Sequence, residues 1–160
     1  MRNLAEADRA IELYADMIRR ICFLHLKNYH DVEDVFQEVF LKYLLHNKKF
    51  ENNAHEKAWL IRVAINCCKD LVKSFSRKRV SSIEQVSAEL FYPQDESRGV
   101  LDAVLQLPEK YKQVIYLFYY EGYSAVEIAK ILNKRENTIY TWLSRAKSKL
   151  KEALGGETFD

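Results

Sequence analysis

The stretch from Glu121 to Lys151, EGYSAVEIAKILNKRENTIYTWLSRAKSKLK, constrains the fold of this chain more than any other. Ser124 stands as an N-cap with Glu127 three residues on, a capping box that opens a short helix ending at Leu132. Asn133 follows where the chain must turn, and asparagine tolerates the left-handed backbone better than any residue but glycine. A second helix is predicted from about Glu136. Its apolar residues Ile139, Leu143, Ala146, Leu150 and Leu154 recur at steps of four, three, four and four, which is one helical face. Ala129 is small where two steeply crossing helices would nearly touch. With Arg145, Lys147, Lys149 and Lys151 as a basic outer face, the pattern describes a helix-turn-helix whose second helix enters a DNA major groove. The alternative is an ordinary helical hairpin with a solvated basic face.

The rest of the chain agrees with an all-α protein. Four Gly and two Pro leave little turn chemistry, and no alternating strand pattern stands between punctuating residues. At 160 residues the chain can hold one domain or two small ones. No apolar run approaches the roughly 20 residues needed to span a bilayer, and MRNLAEADRA lacks a signal-peptide core. Three cysteines, with Cys67 and Cys68 adjacent, argue against a disulfide framework and for a cytoplasmic location.

Charge divides the sequence into three. Residues 1–80 carry 15 Lys+Arg against 11 Asp+Glu, residues 81–107 carry 1 against 5, and residues 108–160 carry 9 against 7. A flexible acidic linker is therefore expected over residues 81–97, where Pro93 would also break a helix. A solvated surface loop accounts for the same acidity. Small helical domains are expected at 1–80 and 98–156, with no internal repeat between them.

Three helices are expected in the first part. The first runs from about residue 4 to 27, with Leu13, Met17, Ile21 and Leu24 on one side. Asp31 is the expected cap of the second, in which Val32, Val35, Phe36, Val39, Phe40, Tyr43 and Leu44 form a regular core stripe. Its other side shows Glu33, Asp34, Gln37 and Glu38, then Leu41 and Lys42. The helix dipole is a sufficient reason for Glu33 and Asp34. It gives no reason for an exposed Leu41 beside them. A third helix, from about Glu56 to Arg77, turns Trp59, Leu60, Val63, Ala64, Cys67, Leu71 and Phe75 inward. Arg62, Asn66, Lys69, Lys73 and Arg77 then make a basic stripe roughly 22 Å long, continued by Lys78 and Arg79. With Asp70 alone beside it, the stripe favours tracking of phosphates over a neutral lattice of ion pairs.

These residues resemble a family. WLIRVAINCCKD at 59–70 is similar to the W-L-x-R-I-A-x-N-x-x-x-D signature of bacterial sigma factors of the extracytoplasmic-function (ECF) group, and DVEDVFQEVFLK at 31–42 to their D-A-E-D-x-x-Q-E-x-F-x-K segment. LPEKYKQVIYLFYYEGYSAVEIAKIL at 107–132 resembles their L-P-x-x-x-R-x-V-x-x-L-x-x-x-E-G-x-S-x-x-E-I-A-x-x-L segment, and TIYTWLSRAKSKLK their T-V-K-S-x-L-x-R-A-x-x-x-L. The blocks occur in the family's order. They imply a region 2 domain at 1–80, a linker, and a region 4 domain at 98–156. Asn133 departs from the usual turn glycine, Lys134 from a commonly apolar place, Arg135 from a capping Ser or Thr, and Tyr140 and Trp142 from frequent Lys and Arg.

The resemblance implies a protein that performs no bond chemistry. Its expected partners are the clamp and flap of core RNA polymerase, promoter DNA and an anti-sigma protein, with no small-molecule substrate, no cofactor and no metal. It assigns Asp34, Gln37, Glu38 and Leu41 to docking on the polymerase, an apolar contact framed by complementary charge. The loop at 46–56, with Asn52 and Asn53, would cradle an unpaired base of the −10 element, since amides can hydrogen-bond a flipped base edge. Phe50 in that loop is read first as packing it down. Arg62, Asn66, Lys69 and Lys73 would hold the adjacent backbone. Glu136, Asn137, Tyr140, Thr141, Ser144 and Arg145 would read the −35 element, with Lys147 and Lys151 nearer phosphates. The acidic linker, with Leu90, Phe91 and Tyr92, would thread channels that RNA later occupies. The two domains are expected to reorient when free and to be held together by a partner.

Two other classes compete. A stand-alone helix-turn-helix regulator would need a sensory or dimerising domain in residues 1–80, where the polymerase-binding pattern lies instead. A metal site would draw on His25, His30, His46, His55, Cys22, Cys67 and Cys68, but these lack ligand spacing and read as buried thiols and surface imidazoles.

Overall fold

A computed structural model of the protein describes residues 1–75 and 98–155. The residues expected to form the linker (81–97), the basic Arg77–Arg79 and the last residues from 156 lie outside that description. The chain divides into two compact units, Met1–Leu90 and Phe91–Asp160. Among the described residues there are seven α-helices and one π-helical turn, and no strand.

The N-terminal unit consists of α1 (Leu4–His25), α2 (Tyr29–Leu45) and α3 (Asn53–Phe75), each packed against the other two. Asn3 caps α1 through a complete capping box with Glu6. The core combines Ala10, Met17, Ile18, Ile21 and Cys22 of α1 with Val32, Val35, Val39 and Tyr43 of α2 and Leu60, Ile61, Ala64 and Cys68 of α3. Leu13 is not part of it: the side chain is exposed, because the buried arc of α1 runs through Ala7, Ala10, Tyr14, Met17 and Ile21. On α3 the inward arc is rotated toward Ile61, Ile65 and Cys68, and Trp59, Val63 and Leu71 are half-buried.

Helix α2 starts earlier than Asp31. Asn28 is its N-cap, its side-chain oxygen accepting from the Asp31 backbone N–H at 2.9 Å. Asp31 is thus the acidic residue of the first turn, and Glu33 and Asp34 fall beyond the reach of the dipole argument. Glu33 has a different partner. Its two oxygens accept from Arg19 Nε and Nη2 at 3.0 and 3.1 Å, and the same guanidinium lies 4.0 Å from the centre of the Phe36 ring.

Helix α3 likewise begins before Glu56, at Asn53. The Asn52 side-chain oxygen accepts from His55 N–H at 2.8 Å, and its backbone carbonyl accepts from Glu56 N–H at 3.1 Å. Glu56 itself is buried at 2 % exposure. Its carboxylate accepts from Arg9 Nη2 at 2.8 and 2.7 Å and from the Tyr43 hydroxyl at 2.7 Å, so one residue ties all three helices together. Burial and the bond to Glu56 push the Tyr43 hydroxyl up to about 12.

The C-terminal unit contains α4 (Arg98–Leu105), α5 (Glu109–Ile115), a π-helical turn (Tyr116–Tyr120), α6 (Ala125–Leu132) and α7 (Glu136–Ala153). The capping box at Ser124 and Glu127 is formed in both directions. Asn133 is left-handed (φ 55°, ψ 53°), and Lys134 N–H reaches Ala129 O at 2.9 Å while Asn133 N–H reaches Lys130 O at 3.3 Å. These two bonds close α6 as a Schellman motif with asparagine in the usual glycine position. Ile139, Leu143, Ala146 and Leu150 of α7 are buried against Ile128 and Ala129 of α6 and the helices before them, and Leu154 is half-buried.

Candidate nucleic-acid interface

The helix-turn-helix turns an open polar face outward. Glu136, Asn137, Tyr140, Thr141, Ser144, Arg145 and Lys147 are all exposed, opposite the buried stripe of α7. Arg135 precedes α7 in extended backbone and makes no side-chain cap bond, so the first N–H groups of that helix face outward uncapped by a side chain. Beside them lies an open depression of about 550 Å³, lined by Lys130, Asn133, Lys134, Arg135 and Asn137 among others. Two side chains have additional partners. Lys147 Nζ lies 5.9 Å and 5.6 Å from the ring centres of Phe118 and Tyr119, and the half-buried Trp142 carries Lys110 Nζ at 5.6 Å. The indole at 142 therefore has a cation of α5 over its ring.

The second surface joins the α2–α3 loop to the outer face of α3. Arg62, Asn66, Lys69 and Lys73 are exposed along one line of α3, about 16 Å from first to last. Asn52 and Asn53 are exposed at its start, although the Asn52 oxygen is taken up by the helix cap and Asn53 belongs to the first turn of α3 rather than to the loop. Phe50 packs the loop down, as its isolation suggested. Its ring is stacked on Tyr43 at 6.2 Å and on His46 at 5.2 Å, and meets Trp59 at 5.6 Å.

Desolvation, followed by the nearby charges of Arg2, Lys48 and His55, holds the His46 imidazole below its ordinary 6.5. The neutral form is thus the one the folded loop favours. Stability from this source is full above about pH 6.5 and is lost as pH falls through the depressed value. A ring-proton titration of His46 is expected to give a midpoint under 6.5, with residues 46–52 loosening over the same interval. A midpoint at or above that of a free histidine contradicts this placement.

The third surface is the outer face of α2. Asp34, Gln37, Glu38 and Leu41 are all exposed, and His30 stands 3.5 Å from Asp34 across one turn. Leu45, also exposed, extends the apolar line one turn beyond Leu41. Its i+4 spacing from Leu41 was the available signal. The Arg9–Glu56 pair had none, since a glutamate on a helix reads as a solvated face and its partner lies 47 residues away. All three cysteines are buried as thiols, and burial pushes Cys67 up to about 11, far from a reactive thiolate. No group of three or more potential metal ligands occurs among the described residues.

Residues 10–79 match the family model for Sigma-70 region 2, and residues 97–150 match that for Sigma-70, region 4, together more than three-quarters of the chain. Helical bundle, helix-turn-helix and the two matches define a sigma factor of the two-region type. Among curated relatives, the ECF RNA polymerase sigma factor SigW of Bacillus subtilis is 29% identical over 161 residues, covering 90% of this chain and 86% of its own. The ECF RNA polymerase sigma factor SigM of the same organism is 27% identical over 152 residues, covering 90% and 92%. The fold is shared with the sigma factor RpoE in complex with the anti-sigma factor NepR from Bartonella quintana. That match has a TM-score of 0.80 at 20% identity, covering 97% of this chain and 100% of that one. It is shared also with CnrH in complex with the cytosolic domain of CnrY, at a TM-score of 0.70 and 22% identity, covering 98% and 92%. The chain belongs to the ECF group of the sigma-70 family of RNA polymerase sigma factors.

Proposed function

We propose that three separate surfaces of this sigma factor divide the work of transcription initiation. The outer face of α2, with Asp34, Gln37, Glu38 and Leu41, docks on the clamp of core RNA polymerase. The α2–α3 loop and Arg62, Asn66, Lys69 and Lys73 engage the opened −10 strand. Helix α7 reads the −35 duplex through Glu136, Asn137, Tyr140, Thr141, Ser144 and Arg145, with Lys147 near the backbone, while its unit approaches the flap. The observation that carries this is an exposed leucine framed by carboxylates on α2, in the same unit as an exposed cationic line on α3. The former suits a protein, the latter a phosphate chain.

No bond is made or broken by these surfaces, so the protein acts by binding, in the cytoplasm where polymerase works. No helix of the described residues is long and apolar enough to cross a membrane. One structural relative is seen with an anti-sigma factor, which supports an inhibitor of that kind as a further partner. A stand-alone regulator is not favoured, because the region 2 match occupies the residues a sensory domain would need.

The division of labour is testable with two single substitutions. Arg145→Ala is expected to weaken binding to a −35 duplex, by about 1–3 kcal/mol for a base contact, with affinity for a single-stranded −10 oligonucleotide nearly unchanged. Asn66→Ala is expected to do the reverse and to lower permanganate reactivity of thymines in the promoter bubble. Equal impairment of the same DNA form by both variants would indicate one composite surface.

A further inference from the structure

Arg2 lies ahead of α1, yet most of its contacts run to a segment more than forty residues away. Its backbone N–H donates to Leu44 O at 2.9 Å, its Nε to Tyr43 O at 3.2 Å, and its Nη2 to Lys48 O at 2.8 Å. The guanidinium carbon stands 4.7 Å from the ring centres of both Tyr43 and Phe50. Glu6, at 4.0 Å, is its ion-pair partner one turn into α1. The side chain is only 13 % exposed, unusual for an arginine this near a chain end.

Each contact has a physical reason. The last carbonyls of α2 carry the negative end of its dipole, and Tyr43 O accepts from the His46 N–H of the C-cap at 3.2 Å as well as from Arg2. A cation with several fixed donors suits them, and two aromatic faces suit its plane. Lys48 and Phe50, by contrast, belong to the loop. One side chain therefore joins a rigid helix end to the segment that follows it. A lysine would keep the charge but not the planar fork.

We propose that Arg2 is a positioning residue for the α2–α3 loop, setting the loop against the end of α2 in the geometry that receives the −10 strand. The inference rests on the reading that this loop captures an unpaired base. Arg2 then acts on promoter recognition without touching DNA, and the identity of residue 2 becomes a determinant of how well the loop binds.

The test uses the full chain as wild type, Arg2→Ala and Arg2→Lys, with single-stranded −10 oligonucleotides, one series carrying an abasic site at each position in turn, and a −35 duplex. Arg2→Ala is expected to bind the intact oligonucleotide about tenfold more weakly, the scale of one lost charge-assisted hydrogen bond. It should bind the −35 duplex unchanged and exchange the amides of residues 46–50 faster. The His46 titration midpoint should rise as a neighbouring cation is lost. Arg2→Lys should recover part of the affinity. If wild type is insensitive to every abasic site, base capture by the loop is wrong and the inference goes with it. Should wild type be sensitive while Arg2→Ala keeps wild-type affinity, Arg2 has no positioning role, whether or not the amides exchange faster.

Discussion

Asp34→Lys combined with Glu38→Lys is expected to abolish measurable binding to core RNA polymerase while leaving the helical content unchanged. Both residues are exposed on α2, off the buried stripe of Val32, Val35, Val39 and Tyr43. Asp34 faces only the exposed His30 across one turn, a surface pair of small worth. Each substitution should therefore alter stability by no more than about 0.5 kcal/mol. Placing two cations where two carboxylates meet a complementary surface introduces like-charge contacts costing several kcal/mol, on the order of a hundredfold or more in affinity. Leu41→Ala should produce a smaller loss with no change of charge. Retained polymerase affinity in the doubly reversed variant, with a native circular dichroism spectrum, would place docking elsewhere. Reversing Glu33 instead is expected to destabilise the unit, because that carboxylate holds Arg19 over Phe36.

Arg9→Met is expected to be the most destabilising single change on the surface of the N-terminal unit. It takes the Arg9 cation from the Glu56 carboxylate, which is buried beneath α1 and keeps the Tyr43 hydroxyl as a donor. Breaking a buried ion pair costs about 3–5 kcal/mol; because Arg9 itself is 45 % exposed and water can replace it in part, about 2–3 kcal/mol is the reasonable expectation. For a unit of this size that corresponds to a fall in Tm of roughly 10–20 °C. Adding Glu56→Gln to Arg9→Met removes the charge while keeping an acceptor for Tyr43, and should restore much of the loss. Thermal melts of the full chain that are superimposable for wild type and Arg9→Met would show that the pair carries no net stability.

What the sequence reveals depends on how local the cause is. The helix-turn-helix was legible apart from the exact start of its second helix, because a capping box, a left-handed asparagine and a run of steps of three and four are each decided within a few positions. The apolar stripe of α2 was legible for the same reason, with Val32, Val35, Val39, Phe40 and Tyr43 all buried. Its start was not, since Asn28 and Asp31 are both competent caps, and the choice depends on whether Tyr29 packs as it does, edge-on against Phe23 of α1. Leu13 was misplaced because α1 carries apolar residues on more than one arc, and only its neighbours decide which arc is covered. The outward positions proposed for polymerase and DNA contacts follow from the helical period. Arg2, Arg9 and Glu56 escape any such pattern, because each is defined by a partner far away in the chain.

The bond between Tyr43 and Glu56 has a consequence for how such a protein can change its preference. These two residues lie on either side of the α2–α3 loop, one in the last turn of α2 and one in the first turn of α3, and they hold each other directly. The ends of the loop are therefore held by this bond, in addition to the packing of Phe50 and the contacts of Arg2 within it. Between the two anchors Lys48, Lys49 and Glu51 are exposed, as is Asn47, whose side-chain oxygen accepts from the Met1 amino group at 3.0 Å. Substitutions there can accumulate with little effect on folding, whereas the same number of changes in a loop that closed itself would unfold its ends. If the loop receives the −10 strand as proposed, a fixed clasp with a variable strand between its jaws would let one helical scaffold acquire new promoters by drift at its exposed positions.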